Sequence, residues 1–252
     1  MPIGKAKGVR VVARGIESCY HAAMRRITGH VAELQLTSGG ERVLIACPPE
    51  AIPAAGQYLL AAENGAIQAT ALFLSGTWKG GFLSSKPYPA AWQPGTDLIL
   101  FGPLGHGFHL PADVQRLALV VLGNTNSRLL PLVSTLKSPH ASMTLFSDAQ
   151  PTDLPPDLEA YPLQDFTESL TWADYYAVDA PLASLETLSE CFDSSSHGLS
   201  GIHGQVLVHS SMPCSGLGKC GVCALKVKRS WKLICEDGPV FDLAGVLKGI
   251  RQ

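Results

Sequence analysis

Met212-Pro213-Cys214-Ser215-Gly216-Leu217-Gly218-Lys219-Cys220-Gly221-Val222-Cys223, followed after Ala224 to Ile234 by Cys235, is the stretch that decides how this chain is read. The spacing C-x5-C-x2-C-x11-C crowds four of the seven cysteines into 22 residues. An odd cysteine total in a chain of 252 residues does not suit the disulfide frameworks of small secreted domains, so the crowding points to a metal site. A [2Fe–2S] cluster needs four converging thiolates, and backbone N–H groups stabilise its sulfides; Gly216, Gly218 and Gly221 let the main chain wrap that closely. Such a centre, oxidised, carries a net charge of about −2 with its four thiolates. Two other readings of the same cysteines stay open. Structural zinc also takes four cysteines, usually as two C-x2-4-C knuckles, and the thiols could carry no metal. Cys19, Cys47 and Cys191 stand alone and read as small buried hydrophobes.

Formal net charge is −2, and 46% hydrophobic with 16% charged residues is enough to bury real cores. The near balance argues against a nucleic-acid partner, which would leave a basic footprint. Charge is nonetheless uneven. Lys219, Lys226, Lys228, Arg229 and Lys232 lie between Cys214 and Cys235 with no acidic residue, which leaves −7 for the rest of the chain. No stretch approaches the roughly 18 to 20 apolar residues of a membrane span, and residues 1–14 lack a signal-peptide core. A cytoplasmic location without a membrane span is expected. His-rich metal motifs, G-x-S-x-G, P-loops and paired carboxylates are absent, so hydrolytic and phosphoryl-transfer chemistry has no support.

After an N-terminal arm, 1–27, with a short helix around Glu17 to Arg26, period-2 stretches at His30 to Leu36 and Arg42 to Ala46 read as strands. More follow at Gln57 to Ala61, Ala69 to Leu74 and Asp97 to Phe101, between turns such as Gly39-Gly40 and Pro94-Gly95, which suggests an antiparallel β-barrel over 28–112. The texture then changes. Leu117 to Leu122 is a continuous apolar run of the kind buried on both faces of a parallel sheet. With a helix at Leu129 to Leu136, strands at Ser142 to Phe146 and Tyr175 to Val178, and a proline loop at Asp148 to Pro156, it makes an α/β open-sheet domain over 113–203. The cysteines fall in a small C-terminal unit, 204–252.

Three features resemble the electron-transfer subunit of class 1B dihydroorotate dehydrogenase, in the ferredoxin reductase superfamily. They are the tail Lys232-Leu233-Ile234-Cys235-Glu236-Asp237-Gly238-Pro239-Val240-Phe241-Asp242-Leu243, the loop Gly102-Pro103-Leu104-Gly105-His106-Gly107-Phe108, and the order of barrel, α/β layer and cysteine unit. The resemblance implies a FAD-domain-like barrel, a nucleotide-domain-like α/β layer and a [2Fe–2S] unit. It implies an electron-transfer function alongside a catalytic oxidoreductase subunit, as in pyrimidine biosynthesis. It places flavin contacts at Gly102, Gly105, His106 and Gly107 and at Gly80 and Gly81 of Lys79-Gly80-Gly81-Phe82-Leu83-Ser84, and metal ligands at Cys214, Cys220, Cys223 and Cys235.

Departures from the family bear on the other cofactors. The family's Arg-Pro-x-Ser segment would fall in Leu59 to Ser75, which contains no arginine, so a flavin phosphate loses its charged partner. The glycine run that receives a nicotinamide pyrophosphate is Gly123-Asn124-Thr125-Asn126-Ser127-Arg128, with one glycine left. Arg128 there reads as a solvated surface residue. The family's cysteine-glycine-proline element stands as Asp179-Ala180-Pro181, and the first cysteine spacing is five rather than four. Two further expectations follow: an adaptor without flavin or NAD that docks a partner, or a zinc-stabilised interaction module.

Overall fold

The computed structural model describes residues 26–37, 40–136, 141–149, 154–193 and 201–251. Residues 1–25 of the expected arm, with Cys19 and the expected helix up to residue 25, lie outside them, as does Gly39; Arg26 and Ile27 begin the first strand instead.

Alternating apolar residues give the first sheet its inner face. Its strands are β1 (Arg26–Thr37), β2 (Gly40–Ala46), β3 (Tyr58–Ala62), β4 (Thr70–Phe73), β5 (Gly76–Trp78), β6 (Gly81–Ser85) and β7 (Asp97–Leu104). They run antiparallel in the order β4-β3-β7-β1-β2-β6-β5, and the sheet curls until β4 lies against β6. Val31, Val43, Ile45, Leu59, Phe82 and Leu100 fill the interior, with Trp92 closing one end. This is the antiparallel barrel expected from the sequence, and its strands span Arg26–Leu104. Gly80 and Gly81 do not form a free loop here: β6 starts at Gly81 and pairs with Ala46, so close that a Cβ on Gly81 would meet the Ile45 carbonyl oxygen at 1.9 Å.

The apolar run becomes β8 (Arg116–Val121), with Leu117 to Val121 buried. Around it lie β9 (Ser142–Ser147), β10 (Glu159–Tyr161), β11 (Tyr175–Pro181), β12 (Gly204–His209) and β15 (Val240–Asp242), in the order β10-β9-β8-β11-β12-β15. All the pairings are parallel except that of β15 with β12. Because the chain leaves β8 for β9 on one side and crosses to β11 on the other, the strand order reverses between β8 and β11. Open α/β sheets form their ligand crevices at such points.

The helix expected at Leu129 to Leu136 is a single turn, α1 (Leu130–Val133). Ser134 and Thr135 turn their hydroxyls back onto the carbonyls of Pro131 and Leu132, which competes with helix continuation. Longer helices are α2 (Leu185–Asp193) and α4 (Leu243–Ile250), the latter capped by the Asp242 carboxylate, which accepts from Gly245 N–H at 2.8 Å.

The cysteine stretch is inserted between two adjacent strands of the α/β sheet. It leaves β12, passes through a loop, a hairpin of β13 (Ala224–Val227) and β14 (Ser230–Leu233) and the one-turn α3 (Ile234–Asp237), and returns as β15. The division expected at 203 and 204 therefore falls inside one sheet, because β12 on its far side pairs with β11 along its whole length. One apolar core joins the α/β layer, the hairpin, α4 and the barrel residues Tyr58 and Leu60.

Candidate iron–sulfur centre and adjoining crevice

Cys214 begins the loop, Cys220 lies at its exposed outer edge, Cys223 precedes β13 and Cys235 sits in α3 behind β14. Two pairs result. Cys214 and Cys220 are hydrogen-bonded through their side chains, and Cys223 Sγ stands 3.4 Å from Cys235 Sγ. Among the described residues no three His, Cys, Asp or Glu side chains gather as one metal ion would need. A four-thiolate pair of irons, each held by two cysteines, matches this arrangement better than a single tetrahedral zinc.

The loop backbone is shaped for sulfur. Ser215, Gly216, Gly218 and Gly221 all take positive φ; the N–H groups of Lys219 and Cys220 act on the Cys214 thiol and that of Gly218 on Cys235, while the Leu217 N–H donates to the Cys214 carbonyl at 3.2 Å. Burial pushes the Cys214 thiol up, but the Cys220 side chain first and then the backbone N–H groups outweigh it and bring it down to about 7. Cys235 is raised to about 12 by burial first and then by its neighbour Cys223. Bound metal would take these groups as thiolates and release their protons. The Tyr58 hydroxyl donates to the Cys235 carbonyl at 3.2 Å, tying the barrel to the cysteine unit.

The other expected contacts lie elsewhere. Gly105 turns with φ +75° directly against the tail, where a Cβ would meet Pro239 Cδ at 2.4 Å. His106 N–H donates to the Gly238 carbonyl at 2.8 Å, and Phe108 N–H to that of Ala55 at 2.8 Å. Gly105 and His106 thus clasp the tail that carries Cys235, whereas Gly102 packs against Leu59 and Gly107 against the Ala55 carbonyl. Neither they nor Gly80 and Gly81 line the two cavities between the layers.

The larger of those cavities, about 910 Å³, is walled by Gln68 to Ala71 and Phe73 of the barrel, by Pro181 to Ala183, and by Ser210 to Met212 and Val222 of the cysteine unit. A second, of about 520 Å³, opens at Gly123 to Thr125 with Lys86 and Ser85 opposite. Arg128 and His209 line both. Arg128 is not a solvated surface residue: it is only 5% exposed. Its Nη1 donates to Asp179 Oδ2 at 3.0 Å and lies 3.3 Å from His209 Nε2, and its guanidinium stands 5.5 Å from the Phe73 ring centre. Burial, more than any neighbouring charge, brings His209 down to about 4, with Asp179 opposing and Arg128 reinforcing. The neutral imidazole can accept from Arg128, which leaves Asp179 Oδ1 without a hydrogen bond although His209 Nε2 is 3.3 Å away. Asp179 stands where the sequence comparison expected a cysteine. A carboxylate inside the apolar strand Tyr175–Pro181 signals a buried partner, but nothing local names Arg128 as that partner. His209, at the end of the apolar β12, carried no such signal.

Residues 209–247 match the iron–sulfur cluster binding domain of dihydroorotate dehydrogenase B. Sulfhydrogenase 1 subunit gamma of Pyrococcus furiosus is 53% identical over 36 residues, which is 14% of this chain and 12% of that protein. This chain therefore matches only about an eighth of the length of that curated relative. The fold is similar to that of an NADH-dependent reduced ferredoxin-NADP oxidoreductase studied for flavin-based electron bifurcation, with a TM-score of 0.67 at 17% identity over 89% of this chain and 93% of the other. It is also similar to the Amycolatopsis cytochrome P450 reductase GcoB, with a TM-score of 0.55 at 19% identity over 75% and 71%. The ferredoxin reductase of carbazole 1,9a-dioxygenase gives 0.55 at 16% identity over 72% and 69%. No helix among the described residues is long and apolar enough to cross a membrane. The chain has a ferredoxin reductase-like fold, and within it residues 209–247 are similar to the iron–sulfur cluster binding domain of dihydroorotate dehydrogenase B.

Proposed function

We propose that Cys214 and Cys220 hold one iron, and Cys223 and Cys235 the other, of a single [2Fe–2S] cluster, and that the chain works as the electron-transfer subunit of an oxidoreductase alongside a catalytic partner. The pairing of the four thiols under a run of loop N–H groups carries this reading. When bound, the cluster supplies one-electron chemistry. The chain's own part is to hold the thiolates, to offset their charge with the N–H groups of residues 218–220, and to fix the loop against Tyr58 and the α/β sheet. Lys219 and the hairpin cations add positive charge nearby.

Flavin fits less well. The larger cavity is roomy enough for a flavin ring, but its barrel wall, Gln68 to Ala71 and Phe73, offers no cation. The buried cation there, Arg128, is already paired with Asp179. Flavin is thus held weakly or not at all. Iron and acid-labile sulfide analysis of anaerobically prepared protein tests the main reading. Two irons per chain with a rhombic EPR signal on reduction are expected, and stoichiometric zinc without iron would refute it.

A further inference from the structure

Seven large apolar side chains are exposed among the described residues, and four of them, Ile67, Leu217, Val222 and Trp231, lie on or beside the cysteine unit. Ile67 belongs to the barrel. It sits in the turn between β3 and β4, fully exposed at 104%, and two residues later the Ala69 N–H donates to Ser215 Oγ at 3.1 Å, which fastens this turn to the cysteine loop. Leu217 follows two residues after Ser215 in that loop, its N–H bonded to the Cys214 carbonyl at 3.2 Å. Val222 shares the wall of the larger cavity with Gln68 and Ala69, the residues next to Ile67. Cys220, the exposed cysteine of the four, lies between Leu217 and Val222 in sequence.

An isoleucine left wholly in water adds nothing to the core, and grouped apolar exposure marks an interaction site. The rim has a sign. Lys219 is in the loop, and Lys226, Lys228 and Arg229 are on the hairpin that links Cys223 to Cys235. The hairpin is rigidly mounted, since Lys228 N–H donates to the Gly245 carbonyl of α4 at 2.7 Å. Lys232 is different, because Asp237 holds it at 2.7 Å. The nearby acids are Glu63 at the barrel turn, Glu236 beside Gly218, and Asp242, whose carboxylate lies with the Lys228 side chain at Gly245. Cations outnumber them. An apolar centre within a charged rim is the anatomy of a protein interface.

We propose that Ile67, Leu217 and Val222 around Cys220, rimmed by Lys219, Lys226, Lys228 and Arg229, form the docking face for an acidic redox protein. The inference rests on the cluster reading above. One electron leaves the reduced cluster and enters a one-electron acceptor of the partner; no bond or proton moves. Opposite charge steers the encounter, and the apolar centre holds it.

The test uses the reduced full-length protein with two haem acceptors, the acidic cytochrome b5 and the basic cytochrome c, mixed by stopped flow across a salt titration. Cytochrome b5 should be reduced faster at low salt than at high salt. Ile67→Asp should slow it about tenfold at low salt, and Lys226→Glu with Arg229→Glu should slow it and flatten the salt dependence, because rim charges act on association. Iron content and EPR signal should match the wild type in both variants. Unchanged cytochrome b5 rates in both variants, with normal clusters, would overturn the docking face, as would equal or faster reduction of cytochrome c at low salt. Iron-free wild-type protein would overturn the cluster reading and this one with it, and EPR shows that before any variant is compared.

Discussion

Arg128, Asp179 and His209 show what single residues do in the crevice. A buried charge pair is held by mutual compensation, so removing one partner strands the other. Asp179→Ala should destabilise the protein by about 3–5 kcal/mol, read as a lowered denaturant midpoint. Arg128→Met with Asp179→Leu together should cost far less, because no charge is then left buried. His209 adds a pH signature. Its folded pKa, about 4, lies below the ordinary 6.5, so the unfolded chain binds the extra proton first. The stability it contributes is present above about pH 6.5 and is lost as pH falls toward 4. Urea midpoints measured across that window should fall less steeply in His209→Gln than in the wild type. Of this trio the sequence displayed Arg128 and Asp179, 51 positions apart in the chain. Their meeting depends on β8 and β11 being neighbours, which no local pattern states.

At the scale of elements, apolar rhythm made most strands legible: β1 to β4, β7, β8, β9 and β11 fall where alternation or a continuous run put them. The strands without such a rhythm were not. Glu159–Tyr161 is exposed throughout, and Gly76–Trp78 and Gly81–Ser85 were hidden by the glycines of the turn between them. The loop at Gly102 to Phe108 was noticed as a motif, yet its work in the fold, clasping the tail at Gly238 and Pro239, depends on a contact more than 130 residues away in sequence. Gly105→Ala combines a positive φ with backbone and ring atoms where the methyl must go. It should cost at least about 1 kcal/mol, and more if the tail shifts, seen as a lower melting temperature together with faster loss of iron. A flavin assay belongs at this scale too. With a cation-free barrel strand, protein purified in excess FAD should lose flavin on a desalting column while its iron stays bound.

For the whole molecule, the four cysteines of the proposed cluster were the most legible feature, because their crowding is local in sequence. The partner was the least legible, since a docking face is assembled from distant segments such as Ile67 and Leu217. Alanine at Cys214, Cys220, Cys223 or Cys235 should abolish the EPR signal of the two-iron centre, whereas alanine at Cys47 or Cys191 should leave its intensity unchanged. Burial raises both of these last two thiols, Cys47 to about 11, which is the behaviour of packing groups.

The cysteine stretch leaves the α/β sheet at β12 and rejoins it at the adjacent β15, so both of its ends are fixed to one frame. It is a soldered contact rather than a carrier arm. Ligands mounted in this way keep a constant distance from the crevice, and no swing of a tethered domain stands between an electron's arrival and its departure. Thickening the solvent with glycerol should therefore slow only the encounter with a separate partner. Once partner and chain are joined, the transfer rate should be indifferent to viscosity.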